Sequence, residues 1–506
     1  MTERKMMKKI LKAAATVFLL LSLFTAMSCR GTDSGEEMTE TEETGTVPPD
    51  VPVITICIPS FYEMSLSGRV EEEMNRISAA RYGFVYDLDF VSATSYEQEM
   101  TMRLSDGAVD ILFGSMQMRK HRGEILDLTE YWEKASSSFH EMWDEYADAV
   151  KIDGRIWGVP HLADYGHYLS LNIDEDIAAD LGIEQDEEIT LGRADEILAE
   201  IHERYPERTT IAGAGYTFLD FWTWDSLGGT GGTANAAGVI SDRGQSDLTV
   251  HSIFEDEDYL MLCRTARSWY EKGWTRKDVL SVAEYPIASI LKDEAAACID
   301  MYGVNYIPGI VRTRFREVGN WTPSGNVSVS VYMIAAASEH PDLAFRALEA
   351  LYTDPELDIL LNNGIENVTY VKNGDGTISY PGGKTAAECG YAAASQFYNF
   401  PGGGHAFPLQ ENGADFFDRL WEHNRESLKT CCYGFSFDSE PVYEEYSACS
   451  EVLEKYYLPL LSGALPVDST VIAAREEMQA AGEDIVIAEK QRQLDEFMRN
   501  TAKEQE

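Results

Sequence analysis

The chain has 506 residues, 44% hydrophobic and 11% aromatic, enough for two or three ordinary domains around sizeable cores. Its formal net charge of −45, with an isoelectric point near 4.4, repels phosphate backbones and argues against a nucleic-acid partner. The same field disfavours a polyanionic ligand, save where a local basic pocket overrides it.

The N-terminus carries an export address. Arg4, Lys5, Lys8, Lys9 and Lys12 form a basic stretch, and Ala13 to Ser28 then runs for 16 residues without a charge. That run is short of the ~20 residues a spanning helix needs and has the length of a signal-peptide core. Small residues and a cysteine follow it, so residues 1–28 are expected to be removed. Residues 29–52 are rich in Gly, Ser, Thr, Glu and Pro, with no aromatic side chain. Mutually repelling acids such as Glu36, Glu37, Glu42 and Glu43 keep such a segment from ordering itself, and it reads as an acidic tether.

Val53 to Ile58 reads as a buried strand, followed by a helix with Val70, Met74 and Ile77 on one face. A strand from Gly83 to Val91, a helix from Tyr96 to Ser105 and a strand from Val109 to Phe113 complete a β-α-β-α-β order. This predicts an α/β fold with parallel strands. Gly154 to Pro160 reads as a hairpin arm, Tyr168 to Asn172 as a strand, and Gly192 to Arg204 as a helix after Thr190. Ala295 to Met301 and Val327 to Ala336 are expected strands. A helix is expected after His340-Pro341, and the last from Glu483 to Arg499. No internal repeat is visible.

Several strings in this body resemble the family 1 extracellular solute-binding proteins, in particular the long lipoprotein type of Gram-positive ABC sugar importers. They are Val70-Glu-Glu-Glu-Met-Asn-Arg-Ile, Val109-Asp-Ile-Leu-Phe-Gly-Ser, Ile125-Leu-Asp-Leu-Thr-Glu-Tyr and Lys151-Ile-Asp-Gly-Arg-Ile-Trp-Gly-Val-Pro. Further on come Asn363-Gly-Ile-Glu-Asn-Val-Thr-Tyr-Val, Tyr433-Gly-Phe-Ser-Phe-Asp and the stretch from Ala481 to Asp495. Ala26-Met-Ser-Cys29 resembles a lipobox, which implies lipidation of Cys29. It departs from the usual pattern at Ala26, where leucine is common.

The resemblance implies a two-lobed α/β fold of the periplasmic-binding-protein type, with a cleft between the lobes and a helical C-terminal extension. Lobe 1 is expected over 53–163 plus 332–365, and lobe 2 over 164–331 plus 366–506. Crossings between them are expected near Asp164 to Tyr168, Val331 to Ala335 and Gly364 to Tyr370. The implied protein is a monomer anchored on the outer face of the cell membrane. It captures a solute, expected to be an oligosaccharide, and delivers it to ABC permease subunits without catalysis. Hinge closure over the ligand is the known motion of such proteins.

A neutral sugar offers hydroxyls and flat C–H faces, which carboxylates, amides and aromatic rings recognise. Candidate ligand residues are therefore aromatic-plus-polar groups on loops after strands. They are Tyr62 and Glu63, Ser115, Asp164, Tyr165 and His167, Trp222 and Trp224, and Tyr302 and Asn305. Each has a plainer alternative: Trp222 and Trp224 as core residues, His167 as a satisfied polar group, Asp225 as a helix cap.

Other signals carry less. The seven cysteines beyond Cys29 include no Cys-x-x-Cys pair, so no zinc site is expected; they read as small buried hydrophobes, with one disulfide left open. Gly382-Gly-Lys-Thr lacks the first glycine of a phosphate loop. His140-Glu141 has Asp144 where a zinc protease has its second histidine. Asn373-Gly-Asp-Gly reads as a turn between strands rather than a calcium loop. No cofactor or metal is implied. The rival readings are a secreted glycoside hydrolase and a sugar-sensing ectodomain.

Overall fold

The computed structural model describes residues 51–166, 168–213, 222–228, 236–281 and 286–504. In chain order the principal elements begin with β1 (Val53–Ser60), α1 (Ser67–Arg81), β2 (Val85–Ser92), α2 (Tyr96–Asp106), β3 (Ile111–Gly114) and α3 (Met116–His121). Next come β4 (Tyr168–Asp174), α4 (Leu191–Arg204), β5 (Thr209–Ala212), α5 (Glu257–Glu271), β6 (Ala295–Tyr302) and β7 (Ile310–Arg312). The chain continues through β8 (Val331–Ile334), α6 (Pro341–Thr353), α7 (Pro355–Asn363) and α8 (Phe416–Glu426). It ends in α9 (Tyr443–Leu461), α10 (Val467–Ala481) and α11 (Glu483–Glu504).

Local chemistry accounts for many of these elements. β1 is buried along nearly its whole length, as a central strand covered on both faces must be. α1 buries Val70, Met74 and Ile77 on its expected face. α2 stops at Gly107, whose left-handed backbone lets its N–H reach back to the Arg103 and Leu104 carbonyls. Thr190 caps α4 by accepting from the Arg193 N–H, and Pro341 opens α6.

Two four-stranded sheets organise two lobes. The first has the order β8-β3-β1-β2, the second β7-β4-β6-β5. β1 runs parallel to β2 and β3, and β6 runs parallel to β5. The expected parallel pairing of the first three strands is present, and the sheets are mixed because β8 is antiparallel to β3, and β4 is antiparallel to β6. The reason lies in the connections. β4 and β8 each arrive from the other lobe at the edge where β6 and β3 end, with no helical crossover to reverse the chain, so each runs back along its neighbour.

Each lobe has its own core. The first gathers side chains such as Ile56, Met74, Leu112, Trp143, Tyr332 and Leu351. The second gathers Leu171, Ile197, Trp224, Leu262, Trp269 and Ile299, and the C-terminal helices join it through Leu453, Tyr457, Met478 and Leu494.

The chain passes from the first core at Tyr165 to the second at Leu169, within the expected first crossing. It returns between Trp321 and Val327. The expected crossing at 331–335 is instead β8, wholly buried in the first lobe. Nor does the chain change core at 364–370, where it enters a small cluster of Tyr370, Ile378 and Leu409. Tyr391, Ala393 and Phe400 still pack in the first core, and the last passage runs along α8 to Cys432 in the second. The chain beyond 366 is therefore shared between the cores rather than given whole to one.

All seven described cysteines are free, and all but Cys431 are buried. No helix among the described residues is long and apolar enough to cross a membrane. Cys29 lies outside the described residues.

Candidate functional site

In an α/β sheet ligands gather beyond the carboxyl ends of parallel strands. Here those ends in both lobes lie where the lobes connect. β1 ends at Ser60 and β3 at Gly114, and β8 enters opposite Gly114. β6 ends at Tyr302, opposite Tyr168, where β4 begins. The two edges meet around α8: Leu162, Phe397, Val304, Phe416, Phe417, Leu420 and Trp421 form one apolar cluster.

On the first lobe's edge, Phe61 exposes 55% of its surface, Tyr62 is partly buried and Glu63 is exposed. Tyr62 packs against the small cluster of Ala386, Cys389 and Ala392. Burial, with Tyr398 nearby, pushes its phenol up to about 12, so it stays a neutral donor. Ser115 is half-buried at the start of α3 in an extended conformation, and its hydroxyl makes no capping bond to that helix.

On the second lobe's edge, Asp164 joins three elements. One carboxylate oxygen accepts from the Val304 N–H at 3.1 Å, and the other lies 3.0 Å from His423 Nε2 of α8. Asn305 is exposed beside it. A Cβ built on Gly303 would stand 2.7 Å from Asn305 Oδ1 and 3.1 Å from Asp164 Oδ2, so only glycine fits between them. Tyr306 exposes 46% of its surface, and its N–H donates to Asn412 Oδ1 at 3.1 Å. Tyr302 closes β6; its side chain, like the whole of His167, lies outside the described residues.

Three expected ligand residues belong to the interior instead. Tyr165 is buried at the first crossing, where its hydroxyl donates to the His161 carbonyl and its N–H donates to Asn424 Oδ1 at 2.8 Å. Trp222 and Trp224 are 1% and 0% exposed in the second core, against Phe315 and Tyr259 at 5.7 and 5.9 Å between ring centroids. Their indoles are too large to leave in water when a core is within reach. Asp225, between them in function rather than in sequence order, accepts from the Leu227 N–H, the Ser324 N–H and the Ser324 hydroxyl. It ties a loop to a crossing and caps no helix.

The structure adds residues the sequence reading passed over. α8 touches both lobes and the crossing between them. Its Trp421 packs on Trp143 of the first lobe at 5.5 Å. Asn424 Nδ2 donates to the Ala163 carbonyl at 2.7 Å, and Arg419 Nη1 donates to the Val304 carbonyl at 3.0 Å. Tyr398 exposes 43% of its surface, and burial of the remainder pushes its phenol pKa up. The run Phe397-Tyr-Asn-Phe400 before a glycine stretch meets the same aromatic-loop criterion that selected Tyr62, so it was legible in principle.

The signals set aside above are structural. Asn373 to Ser379 is a turn joining two paired strands, with Asp375 accepting from the Thr377 N–H. His140 Nδ1 lies 2.9 Å from Asp144. Among the described residues no group of three or more His, Cys, Asp or Glu is placed to hold a metal ion.

Comparison with known proteins places this geometry. A family model described as a domain of unknown function (DUF3502) matches residues 431–499, which hold α9, α10 and most of α11. Over 439 residues the chain is 21% identical to a carbohydrate ABC transporter substrate-binding protein of Streptococcus pneumoniae, covering 84% of this chain and 87% of that one. The crystal structure of the N-glycan transport solute binding protein NgtS from Streptococcus pneumoniae superposes with a TM-score of 0.75, at 19% identity, over 89% of this chain and 100% of that one. A solute binding protein of Bifidobacterium longum infantis, described as HMO-binding and ABC-transporter associated, gives 0.58 at 12% identity over 88% and 99%. The shared feature is the two-lobed α/β fold with its helical C-terminal extension.

Proposed function

We propose that this chain, homologous to the carbohydrate solute-binding proteins of ABC importers and built on their two-lobed fold, captures an oligosaccharide between its lobes and delivers it to a permease. One observation carries the reading. The carboxyl ends of the parallel strands in both lobes flank the segments that connect them, so a guest held there touches both halves. Only a ligand that contacts both lobes shifts the balance between open and closed forms, and that shift is what a transporter senses.

The residues at the two edges suit such a guest. Phe61, Tyr62 and Tyr398 offer aromatic faces, and Glu63, Ser115, Asn305 and Tyr306 offer hydrogen-bonding groups. The role needs no bond-breaking step from this chain. The basic and apolar N-terminus ending in Cys29 supports anchoring on the outer face of the membrane through a lipidated cysteine, with residues 30–52 as tether. In that setting the chain acts as a monomer that meets its permease partners at the surface.

Titration calorimetry against a panel of oligosaccharides tests capture. Small-angle scattering with and without the ligand tests closure, and chromatography of the ligand after incubation tests for cleavage. Micromolar or tighter binding, a smaller radius of gyration and an intact glycan are expected. Cleaved glycan would replace the reading with a hydrolase. Labelled lipid incorporation lost in Cys29→Ser checks the anchor.

A further inference from the structure

The first lobe's edge contains an arrangement that packing alone does not require. Gln396 is wholly buried, and both ends of its amide are used across 335 residues or more of sequence. Oε1 accepts from the Phe61 N–H at 2.9 Å, and Nε2 donates to Ser60 Oγ at 2.8 Å. Ser60 Oγ in turn bonds the Tyr62 carbonyl at 2.9 Å.

Beyond Phe397, Tyr398 and Asn399 are held as firmly as Gln396. Burial lowers the His161 pKa to about 4, so the ring is neutral, and its Nε2 bonds the Tyr398 carbonyl. The Tyr332 hydroxyl donates to the Asn399 carbonyl. Phe397, between them, points away onto Phe416 and Phe417 at 5.2 and 6.0 Å. Buried hydrogen-bonding groups thus fix a short strap, residues 396–399, against the end of β1. What the strap and the strand end leave open to water are rings: Phe61 at 55%, Tyr398 at 43% and part of Tyr62. A buried amide unpaired costs stability, so this one is maintained only with both partners present.

We infer that Phe61, Tyr62 and Tyr398 form a rigid stacking wall for an uncharged pyranose unit of the ligand, with Gln396 as its positioning residue. The inference rests on the capture reading and narrows it to a substrate class. Rings carried on a backbone already pinned have less conformational freedom to lose when a sugar face lies on them. The charges nearby suit a neutral guest. Arg419 pairs with Asp415 and His423 with Asp164, while Glu63 stands exposed beside the wall. A uronate or sialate placed here meets acidic groups and cations that already have partners.

The test uses the full chain and three probes: Man5GlcNAc and lacto-N-tetraose as neutral glycans, and oligoalginate as a polyuronate. At least one neutral probe is expected to bind, with oligoalginate at least tenfold weaker. Phe61→Ala and Tyr398→Ala are each expected to weaken neutral binding at least tenfold at an unchanged melting temperature. Gln396→Leu is expected to weaken it similarly, and to add little further loss in the Phe61→Ala/Tyr398→Ala background. A merely structural glutamine would lower stability there without that non-additivity in binding.

Neutral binding that survives both ring deletions overturns the wall and leaves capture standing. Preference for oligoalginate overturns the neutral assignment. Binding of no probe, with no compaction in scattering, overturns capture itself and this inference with it.

Discussion

His423 Nε2 lies 3.0 Å from Asp164 Oδ1, joining α8 to the segment where the chain leaves the first lobe. The same nitrogen lies 2.9 Å from the Gly166 carbonyl, and Asn320 donates to the His423 carbonyl at 2.8 Å. A Cβ on Gly166 would stand 2.3 Å from Asn320 Oδ1, so the crossing passes through with no room for a side chain. This junction ties three parts of the chain at the point where it passes between the lobes.

The junction is expected to weaken with rising pH. Burial and Arg314 oppose the imidazolium, but Asp164 and the Gly166 carbonyl outweigh them and raise the His423 pKa. A raised folded value means the stabilisation is complete below about 6.5, the unfolded value, and is lost as pH climbs through the folded one. Urea midpoints measured from pH 5.5 to 8.5 should show a fall that Asp164→Asn flattens. His251 and His405 have raised values beside Asp256 and Asp358 and contribute falls of the same sign, so the difference between variant and parent is the readout.

The two tryptophans are expected to behave as core. Trp222→Ala and Trp224→Ala should each cost about 3–5 kcal/mol of folding stability, as large truncations in a packed interior do. Denaturant titration measures this. Weakened glycan binding at unchanged stability would return them to the cleft.

Gly434 tests how the C-terminal extension meets the first lobe. Its φ is +90°, and an added Cβ would stand 2.5 Å from the Asp148 carbonyl oxygen. Its N–H donates to the Ser324 carbonyl at 2.8 Å. Gly434→Ala combines an unfavourable backbone conformation with a clash against main chain, and should cost on the order of 1–3 kcal/mol or more. A melting curve checks it; a neutral outcome would mean that the 148–149 segment yields freely.

Lys490 is wholly buried in α11 and donates to the Ser226 and Gly238 carbonyls at 2.9 and 2.8 Å. Burial lowers its pKa to about 7, against the partial support of Asp225. A lysine lowered in the folded state binds fewer protons there than when unfolded, so its contribution to stability rises from about pH 7 toward 10.5. Lys490→Met should remove that rise. It should also cost roughly 1–3 kcal/mol for each carbonyl left unpaired. Chemical denaturation at pH 7 and pH 9.5 separates the two effects.

Much of the first lobe was legible because its signals are local. Val70, Met74 and Ile77 repeat at helical spacing, and the apolar run from Val53 has strand length. Pro341, and in the second lobe Thr190, mark helix starts by chemistry that acts within one turn. The parallel direction of β1, β2 and β3 followed from their helical connections, but that of β8 was not legible: Val331 to Ile334 has the same apolar pattern whether parallel or antiparallel, and only its route from the other lobe decides.

The candidate site divides in the same way. Tyr62, Asp164 and Asn305 lie at the edges because loops after strands project there. Trp222, Trp224 and Tyr165 satisfied the same composition rule yet lie inside, since nothing within a few residues of a ring tells whether a core lies over it. Gln396 illustrates the opposite failure. A lone glutamine carries no pattern, and its meaning comes wholly from Ser60 and Phe61, some 335 residues away.

The sequence by itself determined the α/β class and many helix starts and stops, because these depend on periodicity and capping between near neighbours. Only the tertiary structure decided the mixed sheets, the passage of the chain along α8 and which aromatic rings are buried and which exposed. Those depend on contacts between residues hundreds of positions apart, for which no short-range signal exists.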